Sequence, residues 1–179
     1  MESTAFVDPI TVFPGGVTFP AANLINLAVN AGNLGVDIPA ITFPQIVGNV
    51  DGTVERLQAF GAIVGLATGN TRDGARLKLT SAGLGATFDL SRGAYGCDAE
   101  ARADIVRLAA VRCGARDGEA VVVVGDTERD VHAGRAIGAR VVGIATDDAA
   151  RRELLDAGAD AIVETCGDAL VAAILAQGR

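Results

Sequence analysis

The sequence predicts an α/β protein with a doubly wound, mainly parallel sheet, and three observations support this prediction. Residues 121–124 are four consecutive valines, and such a β-branched run is typical of a strand buried on both faces. From residue 54 onward, short apolar runs alternate with amphipathic segments, as in successive βαβ units. Half of the chain is apolar although only 4% of it is aromatic, which suits helices packed on a sheet.

The elements follow from this alternation in chain order. Each predicted strand is a short apolar run, and each predicted helix is an amphipathic segment that follows it. Because crossovers between parallel strands are right-handed, the carboxyl ends of the strands meet at one edge of the sheet, where open α/β proteins bind ligands. We predict helices over residues 55–60, 72–82, 99–113, 130–137, 149–157 and 168–177, and strands over residues 62–67, 88–90, 120–124, 140–145 and 161–163.

The first fifty residues differ in composition from the rest of the chain. They contain no lysine or arginine, three acidic residues and many Asn, Gly and Pro. Prolines at positions 14, 20, 39 and 44 interrupt any long helix there. We therefore predict an atypical segment over residues 1–50 and an α/β core over residues 51–179.

Charge and cysteine content narrow the function classes. The net charge of −7 argues against nucleic acid or an anionic membrane as the main partner. The three cysteines, Cys97, Cys113 and Cys166, show no CxxC spacing, so we expect neither a disulfide framework nor a zinc site and favour a reducing cytoplasm. No signal-peptide pattern or membrane-length apolar run is present, which also predicts a cytoplasmic protein. The oligomeric state stays open.

Two carboxylates follow the valine strand. Gly125-Asp126-Thr127 ends this strand, and Asp130 falls in the first turn of the helix predicted to follow. Both carboxylates should therefore converge at the carboxyl edge of the sheet. Oxygen ligands of this kind suit Mg²⁺, which usually takes one or two carboxylates together with phosphate and water.

A second polar group follows the strand over residues 62–67. Thr68-Gly69-Asn70 precedes a helix, and a hydroxyl beside the N–H groups of a helix N-terminus is an anion site. The helix contains Lys78, the only lysine in a chain with fourteen arginines. A single retained lysine favours a role for a compact ammonium, such as contact with a phosphoryl oxygen.

Taken in order, these motifs resemble those of the haloacid dehalogenase superfamily. The segments TGNTRDGARLKLTSAGL, RGAYGCDAEAR and GDTERDVHAGRAIGARVVGIATD are most similar to phosphoglycolate phosphatase-like hydrolases. The resemblance covers about residues 54–179. It implies a Rossmann-like core with a cap that is reduced or absent, Mg²⁺-dependent phosphoryl transfer through an aspartyl-phosphate, and a small phosphorylated metabolite as substrate.

The resemblance also implies roles for individual residues. Thr68, Gly69 and Asn70 would bind the transferring phosphoryl group, and Lys78 would stabilise its charge. Asp126 would ligate Mg²⁺, supported directly or through water by the second carboxylate of the motif, Asp130.

The family's first motif, Asp-x-Asp-Gly-Thr at the end of the first strand, is altered in this chain. The nearest match runs from Asn49 to Thr53, where an amide takes the place of the nucleophilic carboxylate and Asp51 matches the general acid/base. Asp8 is a second candidate on a strand-like segment. The strand that carries this first motif is the central strand of the family's sheet. We expect it to be supplied either by residues 46–50 or by residues 5–12, or else residues 1–50 are foreign sequence joined to the core.

The sequence thus predicts a hydrolase of phosphoric monoesters that uses Mg²⁺, with Thr68, Lys78 and Asp51 as catalytic residues. The alternative is a catalytically impaired domain that keeps the Mg²⁺ and phosphate site without a nucleophile. Whether the chain turns over, and on which metabolite, stays open at this point.

Overall fold

The computed structural model describes residues 50–116 and 120–176, so Asp8 and Asn49 lie outside the described residues. From residue 122 to residue 175 strands alternate with helices, as the sequence predicts, whereas no named strand lies between the helices over residues 50–112. The elements are α1 (Val50–Ala59), α2 (Arg72–Ser81), α3 (Arg102–Arg112), β1 (Val122–Gly125), α4 (Glu128–Ala136), β2 (Arg140–Ile144), α5 (Asp148–Asp156), β3 (Ala161–Val163) and α6 (Asp168–Leu175).

The named strands form a parallel sheet in the order β1-β2-β3. Val122 pairs with Arg140 at the start of β1, and Gly125 pairs with Gly143 at its end. A separate parallel bridge joins Ala67 to Ala94. The predicted mainly parallel α/β architecture is therefore confirmed.

Helices cover both faces of this sheet. On one face α1 packs against α6, and on the other α3 packs on α4 and α4 on α5. Each face has its own core cluster, one containing Val54, Leu66 and Leu170 and the other containing Val123 and Val131. This is the doubly wound arrangement that the alternation predicts, and within the described ranges no further domain is inserted between the elements.

The helix α4 lies unusually close to the sheet because it carries Gly134 on its inner face. A Cβ at this position would lie 2.6 Å from Cγ2 of Val141 and 3.3 Å from Cβ of Val123. A glycine in a helix interior costs about 1 kcal/mol relative to alanine. Here the close packing of α4 on β1 and β2 explains its presence.

Two predicted strands differ in the structure. The strand predicted over residues 88–90 is wrong, because Leu90–Arg92 forms a single 3-10 turn whose N-cap, Asp89, accepts a 2.9 Å hydrogen bond from the Ser91 N–H. The segment over residues 62–67 is not a strand of the described sheet, and its bridge pairs Ala67 with Ala94, which also lies outside that sheet. In addition, Val50 begins α1, so a strand over residues 46–50 cannot include this residue.

The helix predicted over residues 55–60 begins five residues earlier, at Val50, whereas the other predicted boundaries lie within three residues of the observed ones. Caps account for two of these boundaries. Thr71 caps α2 by accepting from the Gly74 N–H at 3.2 Å, and Asp147 caps α5 by accepting from Ala149 and Ala150 at 2.9 Å each. Such caps satisfy N–H groups that have no partner inside the helix. No helix within the described ranges has the length and apolar character needed to cross a membrane.

Two adjacent leucines of α5 test the packing of the second face. Leu154 is 1% exposed and its neighbour Leu155 is 50% exposed. Leu154→Ala should lower the free energy of unfolding by about 2–5 kcal/mol, because it leaves a cavity in the core. Leu155→Ala, the control, should change it by less than about 1 kcal/mol. Urea denaturation measures both, and equal losses would contradict the assignment of faces.

Candidate functional site

Asp126 directly follows β1, and Asp130 lies close to the end of this strand. Oδ1 of Asp126 is buried at this strand end, and Asp130 lies in the first turn of α4 at 1% exposure. Thr127, the N-cap residue of α4, donates its hydroxyl to Oδ2 of Asp130 at 2.8 Å. A Cβ on Gly125 would lie 2.3 Å from the Cβ of Asp130, so the glycine is what lets Asp130 fold back against the strand.

Arg102, which the sequence analysis did not single out, holds the other oxygen of Asp130. Its Nη2 and Nε lie 2.7 and 3.2 Å from Oδ1 of Asp130. A carboxylate removed from water remains charged only when it is paired and hydrogen bonded. Through these bonds to Thr127 and Arg102, the carboxylate of Asp130 connects α3 and α4 at the end of β1.

The second half of the site follows Ala67. Thr68 is 1% exposed, and its hydroxyl oxygen accepts from the backbone N–H of Asn70 at 3.2 Å and from its side-chain amide at 3.5 Å. Nζ of Lys78 donates to Oδ1 of Asn70 at 3.0 Å. Thr68, Asn70 and Lys78 therefore form one hydrogen-bonded unit at the start of α2, where the helix dipole favours an anion.

Lys78 is 2% exposed, which is rare for a lysine. Burial lowers the pKa of its ammonium from 10.5 to about 8, because desolvation disfavours the charged form. A lysine in this state is still mostly protonated at neutral pH. An anion bound beside it would restore the favourable charge interaction that it has lost with water.

The loop that contains Gly96 fixes the shape of the backbone around Gly69 and Asn70. The Gly96 N–H donates to the Asn70 carbonyl at 2.9 Å, and a Cβ on Gly96 would lie 2.0 Å from the Gly69 carbonyl oxygen. Only a residue without a side chain fits there. Asp98 steadies the loop, since it accepts from the Tyr95 N–H at 2.8 Å and forms an ion pair with Arg112 at 2.8 Å.

Helix α3 contacts both halves of the site. Its first residue, Arg102, contacts Asp130 just beyond the end of β1. Its C-cap residue, Cys113, lies against Gly65, three positions before Thr68. Helix α3 therefore contacts both the residues just beyond β1 and the segment that leads to Thr68.

Asp51 lies outside the hydrogen-bonded unit of Thr68, Asn70 and Lys78. It is exposed in the first turn of α1, where its carboxylate accepts a hydrogen bond from the hydroxyl of Thr87. It thus lies within a helix rather than at the end of a strand. His132 lies on the exposed side of α4, and Cys97 is exposed in the loop after Gly96.

The donor set at β1 fits Mg²⁺ better than a transition metal. Over residues 50–116 and 120–176, no group of three or more His, Cys, Asp or Glu side chains could hold a metal ion. Mg²⁺ does not need one, since it keeps several waters and uses one or two carboxylates plus substrate phosphate. The buried oxygen of Asp126 can supply such a ligand.

Comparison with known proteins agrees with the fold. A family model described as haloacid dehalogenase-like hydrolase matches residues 19–138. Among solved structures, a candidate phosphatase from Clostridium difficile has 20% identity and a TM-score of 0.58, over 71% of this chain and 59% of that one. A haloacid dehalogenase-like family hydrolase from Streptococcus pneumoniae has 19% identity and a TM-score of 0.56, over 65% of this chain and 54% of that one. The chain thus spans little more than half of either structure, and no curated protein matches it.

The single lysine allows a direct test of its burial. The side-chain NMR signal of Lys78 should titrate with a midpoint near pH 8 in the folded protein, well below its ordinary pKa of 10.5. Between these pH values the unfolded chain binds more protons, so the contribution of Lys78 to the free energy of unfolding rises with pH.

Burial raises the pKa of Tyr95 and of Cys166, so their contributions to the free energy of unfolding fall as the pH rises. The variant Lys78→Met keeps both residues and is therefore the reference protein. The stability of the wild type relative to this variant should rise by about 3 kcal/mol between pH 8 and 10.5. A midpoint above about pH 10 would contradict the burial of the ammonium.

Substitution of two arginines of α3 tests whether Arg102 stabilises the buried carboxylate of Asp130. Arg102→Met removes the ion-pair partner of a carboxylate that is 1% exposed, and should lower the free energy of unfolding by about 3–5 kcal/mol. Arg107→Met is the control, because the pair of Arg107 with Asp104 has both side chains more than half exposed and is worth about 0–1 kcal/mol. Similar losses by urea denaturation would show that Arg102 does not hold a buried charge.

Proposed function

Because the chain belongs to the haloacid dehalogenase-like hydrolases, we propose that its site hydrolyses the phosphate ester of a small metabolite with the help of Mg²⁺. Phosphoglycolate is the model for this substrate class. The observation that supports the proposal is the presence of a hydrogen-bonded unit of Thr68, Asn70 and Lys78 together with a buried carboxylate oxygen on Asp126, just after β1.

The anion half suits a phosphoryl group. The Thr68 oxygen accepts hydrogen bonds from Asn70, so its own hydroxyl hydrogen can be donated to a phosphoryl oxygen. Gly69 adds a backbone N–H at the N-terminal end of α2. The hydrogen bond from Lys78 to Asn70 holds the ammonium beside this loop, where it neutralises oxygen charge as phosphoryl transfer requires.

The carboxylate half suits the metal. Asp126 would be the protein ligand, and Asp130 would hold the strand end in place through its bonds to Thr127 and Arg102. When bound, Mg²⁺ supplies charge stabilisation for the phosphoryl oxygens. The net charge of −7 does not attract a phosphate, so attraction must come from these local groups.

A second function is favoured by one observation on the sequence. Position 49 is Asn, and an amide lacks the charge of the carboxylate that opens the family's first motif. Asp51 would then have to act from the first turn of α1, where it accepts from Thr87. The second candidate function is therefore binding of Mg²⁺ and a phosphorylated metabolite without turnover.

The test is hydrolysis of an aryl phosphate by the full chain, with Mg²⁺ and with EDTA, together with Mg²⁺ titration calorimetry. Asp126→Asn keeps the shape of the side chain and should lower both Mg²⁺ affinity and turnover by about 100-fold or more. Asp148→Asn, an exposed residue at the start of α5, is the matched control and should change neither.

The outcomes separate the two functions. Turnover that requires Mg²⁺ and Asp126 establishes a phosphatase. Mg²⁺ binding without turnover supports the binding function, and an unchanged Mg²⁺ isotherm in Asp126→Asn overturns the metal site itself.

A further inference from the structure

The hydrogen bonds of Asn70 connect the two functional side chains on either side of it. Its backbone N–H donates to the hydroxyl oxygen of Thr68 at 3.2 Å, and its amide Nδ2 lies 3.5 Å from the same oxygen. Its Oδ1 accepts from Nζ of Lys78 at 3.0 Å, and its carbonyl accepts from the Gly96 N–H at 2.9 Å. Asn70 thereby joins Thr68 to Lys78 and anchors both to the loop that contains Gly96.

The lysine determines which way the carboxamide of Asn70 faces. An ammonium group can only donate hydrogen bonds, so the carboxamide atom next to Nζ of Lys78 must be the oxygen. The amide nitrogen then faces Thr68, whose hydroxyl oxygen is the acceptor. Because that oxygen receives hydrogen from Asn70, the hydroxyl hydrogen of Thr68 is directed away from Asn70 and can be donated to another group.

The side chain of Asn70 also packs against helix α2. A Cβ on Gly74, in the first turn of α2, would lie 3.8 Å from Oδ1 and 3.9 Å from Cβ of Asn70. Thr68 and Lys78, its bonded partners, are 1% and 2% exposed. The carboxamide is therefore held on the inner side of the loop by α2 and by two buried side chains.

Capping of α2 does not account for this side chain, although asparagine is a common N-cap residue. The N-cap of α2 is Thr71, whose hydroxyl accepts from the Gly74 N–H at 3.2 Å. Oδ1 of Asn70, the atom that a capping asparagine would use, accepts from Lys78 instead. The bonds of this carboxamide thus serve the functional side chains and not the helix end.

The neutrality of the carboxamide matters because the ammonium is so near. A carboxylate at the position of Oδ1, 3.0 Å from Nζ of Lys78, would form a charge-assisted ion pair with it. That pair would oppose the approach of a second anion, since like charges repel and are weakly screened when partly buried. A carboxamide provides the same acceptor without the charge. Asn70 therefore holds Lys78 without adding a negative charge to the site.

We propose that Asn70 is a positioning residue: its side chain holds the ammonium of Lys78 and orients the hydroxyl of Thr68, and it acts on a bound phosphoryl group through these two residues. This inference rests on the proposed function, because it concerns the same anion site. It differs from the role that the family resemblance implies, in which Asn70 itself binds the phosphoryl group. It also gives a physical reason for an amide at this position.

The first test measures the ammonium directly. The chain has one lysine, so labelling with ¹³C,¹⁵N-lysine gives a single side-chain NMR signal. Asn70→Asp should raise the titration midpoint of Lys78 from about 8 to above about 9, because an adjacent opposite charge favours the charged form. Thr71→Asp is the matched control: it adds the same charge at the neighbouring, exposed position and preserves the helix cap. It should leave the midpoint near 8.

The second test measures binding of inorganic phosphate to the same full-length proteins by NMR titration at neutral pH. Asn70→Ala should lower the affinity by about tenfold, the scale of one hydrogen bond to a charged group. Asn70→Asp should lower it further, because it adds a repulsive charge. Thr71→Asp should lower it by about threefold or less, since an exposed charge is screened by salt.

A double-variant cycle separates positioning from direct contact with the anion. If Asn70 acts through its partners, Asn70→Ala should lower phosphate affinity by only about threefold or less in a Lys78→Met background, because residues that act as one unit are not additive. NMR titration reaches the millimolar affinities that this background requires. An equal loss in both backgrounds would show that the carboxamide contacts the anion itself, and the proposal would fail.

The remaining outcomes are also decisive. A Lys78 midpoint that is unchanged in Asn70→Asp, or that rises equally in Thr71→Asp, would overturn the proposal. If the wild type binds no phosphate, the proposed function fails, and the midpoint of Lys78 in Asn70→Asp still decides whether Asn70 holds the ammonium. If Asn70→Asp does not fold, the cycle with Asn70→Ala decides alone.

Discussion

The pairing of one buried carboxylate determines how the site edge is built. Asp130 is 1% exposed, and a charge in that environment must be met by partners of good geometry. Arg102 supplies them from α3 and Thr127 from the first turn of α4. One carboxylate thereby joins two helices to the end of β1.

The group around Thr68 is stabilised differently, by close contact between two backbone segments. The contacts of Gly96 with Gly69 and Asn70 fix the loop, and Lys78 is buried beside it at the cost of solvation. The two halves therefore differ in what stabilises them, since one depends on a buried ion pair and the other on close backbone packing.

The sequence predicted those parts of the molecule that depend on local pattern. The valine run and the alternation of strands and helices from β1 onward lie where short-range spacing places them. The strand predicted over residues 88–90 failed because Phe88 and Leu90 are apolar, whereas the side chain of Asp89 between them caps a 3-10 turn. Arg102 and Gly96 were not identified, since their partners lie many residues away and neither position has a local signature.

The loop contact around Gly96 also affects how such a site can diversify. The shape of the loop after Ala67 is set by backbone atoms of Gly69, Asn70 and Gly96, so it does not depend on the neighbouring side chain of Cys97, which is exposed. Substitutions at Cys97 should therefore leave this backbone contact unchanged. In evolutionary terms, the surface beside the loop can change in chemistry while the loop keeps its form.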